Sequence, residues 1–273
     1  MHYPPTTPAK RRLYRFHGGL HIPDNKDQST SLPVVPAALP QRLTLPLQQH
    51  IGAAAQPLVA AGDQVSKGQT IAAPQGAVSA PIHAPSSGRV VEIGEHPVPH
   101  VSGLRAPCIV IDTDGKDEWD PGLPEPIEDF TALSPDQLRQ RIREAGIVGL
   151  GGAAFPTSVK LRPGPQQKIR TLIINGAECE PYITCDDMLM RTRPDQVLSG
   201  IAILRHLLGA AGGGIDGDVC IAPVQGRALG VNLGKALAAV IGDAPQWRRG
   251  DTLFQGFQVR GQVHDWSGLF EAL

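Results

Sequence analysis

Between Gly146 and Lys160 the chain reads GIVGLGGAAFPTSVK. Gly149, Gly151 and Gly152 leave backbone N–H groups uncovered by side chains, so a phosphate or a flat ring can come close. Phe155 adds a ring face, Thr157 a hydroxyl and Lys160 a mobile positive charge. These residue types in this order suit a cradle for a nucleotide or a flavin. A second polar stretch, NGAECEPYITCDD from Asn175 to Asp187, directly follows the apolar run 171–174. If that run is a strand, the acidic stretch lies at its carboxyl end, where ligands sit in α/β sheets. A glycine turn and an acidic strand end are the minimum for holding a phosphate, a ring and a ribose together.

Elements on either side must position these groups. Ahead of the loop, Ser134, Pro135 and Gln137 spell an N-cap, a first helical position and a capping box. Leu138, Ile142 and Ala145 share one face of the expected helix, and Gly146 fits the left-handed position that ends it. Beyond the acidic stretch, Asp186 and Asp187 start a helix and could cap it. Pro194 starts a long amphipathic helix with Val197, Ile201, Leu204, Leu207 and Leu208 on its core side, ended by Gly212, Gly213 and Gly214. Residues 219–224 read as the next strand and 229–241 as a further helix, which makes a small doubly wound sheet.

The first half reads differently. From about residue 41 to 118, short apolar runs alternate with turns: LTLPL, PLVAAGDQV, GQTIAAP, SAPIHAP, SSGRVVEIG and PCIVIDTDG. GDQVSKGQTIA looks like the turn pattern of a barrel-sandwich hybrid, the fold of lipoyl and biotinyl domains. Those carriers present a modified lysine at a hairpin tip. The matching tip, between Pro74 and Pro81, has no lysine, and Lys67 belongs to the preceding turn. The fold is therefore expected without the swinging-arm function. His83 alternates with apolar neighbours and could face either side. The expected organisation is α+β and multidomain. An extended arm (1–40) docks through Phe16, Leu20 and Ile22. The barrel-sandwich hybrid (41–118) and an acidic, proline-containing linker (119–133) precede an α/β flavin–dinucleotide domain (134–245) and an unassigned tail (246–273).

Composition narrows the function classes. With 25 basic and 26 acidic residues the net charge is −1, so nucleic-acid binding has little electrostatic support. No apolar run of about 18 residues is present to span a membrane, and the N-terminus lacks the apolar core of a signal peptide. The four cysteines, Cys108, Cys179, Cys185 and Cys220, form no CxxC pair, so neither a zinc site nor an iron–sulfur cluster is expected in this chain. They are expected as small buried or half-buried residues. His17 and His21 read as part of a packed arm rather than as metal ligands.

GLGGAAFPTSVKL followed by INGAECEPYITCDDMLMR resembles the RnfC component of the Rnf ion-translocating electron transport complex. In weaker form the two motifs resemble the flavin- and NADH-binding component of respiratory complex I. The likeness extends upstream through FHGGLHIPDNKDQS, PLQQHIGAAAQPLVAAGDQVSKGQTIA, SAPIHAPSSGRVVEI and PHVSGLRAPCIVIDTDG. It implies FMN across the glycine loop and NADH as substrate. Lys160 would pair with the flavin phosphate, and Asn175 would hydrogen-bond the ring or ribityl chain. Phe155 would stack on the nicotinamide or adenine. Glu178 and Glu180 would meet ribose hydroxyls or the nicotinamide amide. The implied setting is the cytoplasmic face of the bacterial inner membrane, held there by other Rnf subunits.

Three features depart from the family pattern. Ala154 stands where the family's GGAGFPT has glycine; a methyl there costs roughly 1 kcal/mol if the backbone sits at positive φ. Ala222-Pro223-Val224-Gln225 replaces an expected E-D-N-K turn. The tail from Trp247 to Leu273 carries no motif recognised in the sequence, and the family's two cluster motifs are missing. Two pictures follow: an electron-transfer subunit that binds FMN and NADH, or a degenerate or truncated non-catalytic paralogue that serves as a scaffold.

Overall fold

The computed structural model describes residues 23–99, 102–149, 154–162, 172–175, 180–209 and 219–222. The expected docking of Phe16, Leu20 and Ile22, the helix over 229–241, the turn after Ala222 and the tail lie outside these residues.

The β half is built from two antiparallel sheets. Strands β1 (Arg42–Pro46), β7 (Arg105–Thr113), β6 (Gly88–Pro97) and β3 (Gln64–Val65) lie side by side in that order. β2 (Gln56–Pro57), β4 (Thr70–Ala73) and β5 (Ile82–His83) form the second sheet. β1 alternates outward and inward residues, as a half-covered strand should. β7 instead buries four in succession, Cys108 to Ile111, because its neighbours and the second sheet cover it. Ile71, Ala72 and Ile82 of the smaller sheet meet Val65, Val90, Ile109 and Ile111 of the larger in one apolar cluster. That two-sheet core is the barrel-sandwich hybrid expected from the turn pattern. The hairpin tip between β4 and β5 does not swing free: Arg143 donates to the Gly76 carbonyl at 2.8 Å.

The residues read as a linker are stitched to the barrel at their start. Lys67 N–H donates to the Glu118 carbonyl at 2.8 Å, and Asp120 N–H donates back to the Lys67 carbonyl at 2.8 Å. The Lys67 ammonium pairs with Asp117 at 2.8 Å and lies 4.6 Å from the Trp119 ring centroid. At the far end, His206 and Phe130 meet edge to face, and the His206 ring lies 3.2 Å from the Leu133 carbonyl.

The second half is helical around a parallel strand pair. α2 (Pro135–Glu144) starts where the capping box sets it. Ser134 Oγ accepts from Gln137 N–H at 3.3 Å, and Gln137 Oε1 accepts from Ser134 N–H at 2.9 Å. It stops at Gly146, whose φ is +67°. β8 (Leu172–Asn175) runs parallel to β9 (Val219–Ala222), and Thr171, the expected start of the first strand, lies outside the described residues. α5 (Pro194–Gly209) buries Val197, Ile201, Leu204, Leu207 and Leu208, as its spacing requires. Asp186 and Asp187 lie in the first turn of α4 (Cys185–Thr192). Thr184 takes the cap position, and buried Asp187 pairs with Arg191 one turn on at 2.9 Å. Cys108 is buried and Cys185 half-buried. Among the described residues no helix is long and apolar enough to cross a membrane.

An unexpected element lies in the arm. Residues 26–30 form a helical turn, α1 (Lys26–Thr30), rather than extended chain. Its causes are tertiary and belong to the site.

Candidate functional site

The glycine loop is drawn shut at its neck. Gly149 N–H donates to the Phe155 carbonyl and Thr157 N–H donates to the Ile147 carbonyl, each at 2.9 Å, and Val148 bridges Pro156. The Gly149 amide is therefore engaged by the loop itself and is not the bare donor the sequence suggests. Its part is conformational. Gly151 and Gly152 lie outside the described residues.

Ala154 has φ +40°, so the substituted position does require left-handed backbone. For an alanine this conformation costs roughly 1–2 kcal/mol relative to the right-handed region. The short helix α3 (Thr157–Lys160) leaves the neck after buried Pro156, with Thr157 half-buried.

Lys160 ends α3 with its ammonium 6.0 Å from the Phe155 ring centroid. Both side chains are half-buried. Burial pulls the Lys160 ammonium below its ordinary value of 10.5. A cation partly stripped of water beside an aromatic face gains from an arriving anion, because the anion replaces lost hydration with a charge-assisted contact. This donor set fits the phosphate of a flat cofactor.

One apolar cluster ties the loop to the strand end. Ile147 from the neck, Leu161 just past Lys160, and Leu172 and Ile174 of β8 all pack with Leu138 and Ile142 of α2. The segment that carries Phe155, Thr157 and Lys160 and the strand β8 thus rest on one core. Asn175 closes β8 opposite Ala222. Glu178 lies outside the described residues, and Glu180 is exposed at the start of the next turn.

That turn is gripped by the arm. Lys26 is only 3% exposed, and its ammonium donates to the Ile183 carbonyl at 2.6 Å and the Glu180 carbonyl at 3.2 Å. Ser29 Oγ donates to the Tyr182 carbonyl at 2.5 Å, while Tyr182 N–H donates to the Asp24 carbonyl at 2.8 Å. Tyr182 has φ +64° and is 53% exposed. Sequence reasoning missed Lys26, Asp24 and Ser29. Their one signal was that FHGGLHIPDNKDQS carried the family likeness without an assigned role.

His83 faces the seam between barrel and α2. Its imidazole is held below its ordinary 6.5 by burial, partly offset by the Glu144 backbone. Gly146 lies against it, so the barrel fixes where the loop departs.

Comparison with known proteins bears on the family of this chain. Residues 14–116 match the family model of the RnfC barrel sandwich hybrid domain, and residues 142–216 match that of the Nuo51 FMN-binding domain. The chain is 59% identical over 196 residues to the C component of the ion-translocating oxidoreductase complex of Pseudomonas aeruginosa, covering 72% of this chain and 25% of that protein. The corresponding proteins of Haemophilus influenzae and Rhodobacter capsulatus are 47% and 46% identical over 197 and 196 residues. Each match covers 72% of this chain, and 30% and 37% of those proteins respectively. The chain therefore spans between a quarter and two fifths of the length of these relatives. By both domains, in this order, the chain belongs to the RnfC family of the ion-translocating oxidoreductase complex.

Proposed function

We propose that this chain binds FMN and NADH and passes hydride-derived electrons to the other subunits of an Rnf-type complex at the cytoplasmic face of the membrane. The observation that carries the reading is the half-buried Lys160, its ammonium beside Phe155, next in sequence to Leu161 of the cluster that also holds β8. The match to an FMN-binding domain supports it.

Bound FMN would supply a two-electron acceptor able to release electrons singly. The chain's own residues bind and orient. Lys160 neutralises the phosphate, with the Thr157 hydroxyl as a further donor. Gly151 and Gly152 admit the ring, with Gly149 shaping the neck. Phe155 offers its face to the nicotinamide or adenine. Asn175 hydrogen-bonds the flavin ring or ribityl chain. Glu178 and Glu180 accept from ribose hydroxyls or the nicotinamide amide. Their joint task is to hold two rings face to face at near-contact distance. In this reading the barrel domain (41–118) and linker (119–133) carry the α/β domain (134–245), with the arm (1–40) bound to it and the tail (246–273) without an assigned part.

A second reading, a non-catalytic docking protein, draws on one observation: Ala154 occupies a left-handed position that suits glycine. Reconstitution separates the two. The first reading expects flavin absorbance that survives gel filtration and bleaches with NADH. Bound flavin without bleaching, or no bound flavin, supports the second. Ala154→Gly should then tighten FMN by about five-fold if releasing about 1 kcal/mol of backbone strain favours the cofactor-bound loop.

A further inference from the structure

We propose that the 24–29 segment is a clamp that presents Tyr182 as the stacking face for the planar base of the dinucleotide, with Lys26 as its positioning residue; this rests on the FMN and NADH reading. Tyr182 combines two features that oppose each other in an ordinary surface loop. Its backbone is left-handed, which costs roughly 1–2 kcal/mol for a residue with a side chain. The residue is 53% exposed and so recovers little of that cost by burial. The conformation persists because neighbouring groups over-determine it. The Tyr182 N–H and carbonyl are both held, by Asp24 and Ser29, and the carbonyls of Glu180 and Ile183 on either side are held by one buried ammonium.

A lysine buried to 3% exposure is expensive unless its donors are satisfied, so its place there is decided by the two carbonyls it bonds. Both belong to the turn that carries Tyr182. The clamp spans more than 150 positions of sequence, so it acts on this turn and not on its own neighbourhood. The presented surface has a definite chemistry: an aromatic face two residues from an exposed carboxylate, Glu180. A ring for a planar base and an acceptor for ribose hydroxyls suit the nucleoside part of a dinucleotide. The phosphate-seeking cation, Lys160, stands on a different element, α3.

The test uses the 273-residue chain reconstituted with FMN, and NAD+ as the probe, since the oxidised dinucleotide leaves oxidised flavin unchanged. Equilibrium dialysis should show Tyr182→Ala weakening NAD+ by about 3- to 10-fold, the range a lost aromatic stack gives. Tyr182→Phe should stay within about two-fold of wild type, because the ring and not the hydroxyl stacks. Lys26→Met should weaken NAD+ as Tyr182→Ala does, and Lys26→Arg should restore part of the loss. FMN affinity should hold across the series. Chymotrypsin, which needs no flavin, should cut after Tyr182 faster in Lys26→Met than in wild type and slow again when NAD+ is added to the wild-type holoprotein. Unchanged NAD+ affinity in Tyr182→Ala, or equal loss of FMN and NAD+ in Lys26→Met, overturns the inference while the flavin reading stands. A wild-type chain that takes up no FMN overturns both.

Discussion

Gly146→Ala tests how the loop is aimed. Gly146 ends α2 at φ +67°, and a methyl built there would sit 2.8 Å from the Pro81 carbonyl oxygen and 3.2 Å from the His83 ring. The left-handed backbone alone costs an alanine about 1 kcal/mol. The two close approaches add to it unequally. His83 borders a cavity of about 360 Å³ and can swing toward it. The Pro81 carbonyl is backbone of the barrel and can move only by parting the seam, which adds about 1–2 kcal/mol, the lower part of the range for overpacking. The total is about 2–3 kcal/mol, or about 4–12 °C in melting temperature for a folded unit of this size. Gly115→Ala isolates the backbone part, since Gly115 has φ +76° and nothing within 4 Å of the added methyl. Thermal unfolding followed by circular dichroism should show the Gly146 variant losing about two to three times as much as the Gly115 variant. FMN uptake should fall only for Gly146→Ala, because only that change displaces the loop. Equal losses in the two variants would refute the claim that the barrel sets the loop's exit.

Three further outcomes follow from single groups. Without ligand, the melting temperature of wild type should rise relative to Lys160→Met as pH rises from 7 to 10. The folded chain holds the ammonium below its ordinary value, so the burial penalty is fully present under the folded value and fades toward 10.5. His83 has the same sign at a lower pH: its neutral form is favoured in the fold, so stability should fall as pH drops from about 7 through 6.5, and His83→Gln should flatten that slope in a melting series. Ser134→Ala removes the side-chain half of the capping box and should destabilise by about 1 kcal/mol, read from the denaturant midpoint.

Local chemistry makes much of this structure legible. The start of α2 is written in three residues, Ser134, Pro135 and Gln137, whose bonds close within one turn. The buried face of α5 follows from spacing alone. The β half is readable because its turns recur between short apolar runs, and the hairpin tip can be dismissed as a carrier for want of a lysine. The left-handed need at position 154 is also legible, because a glycine's place in a motif reports backbone shape. What escapes depends on contacts between distant segments. α1 forms because Lys26 and Ser29 reach the 180–183 turn, and nothing within KDQST announces a helix. The Gly149 amide looks free in sequence because its acceptor, the Phe155 carbonyl, is chosen by how the neck closes. Thr184 takes the position before α4 without a side-chain cap bond, and Asp187 turns inward to Arg191, a contact one turn on that its place in the first turn does not announce.

The account stands on Lys160 and its loop receiving a phosphate. Flavin-fluorescence titrations of wild type and Lys160→Met with FMN and with riboflavin measure this directly, since the two ligands differ only in that group. Wild type should prefer FMN by about 10- to 100-fold, the range of one strong charge-assisted contact, and the preference should collapse in Lys160→Met. Equal affinity for both ligands in wild type, or a preference untouched by Lys160→Met, would contradict it.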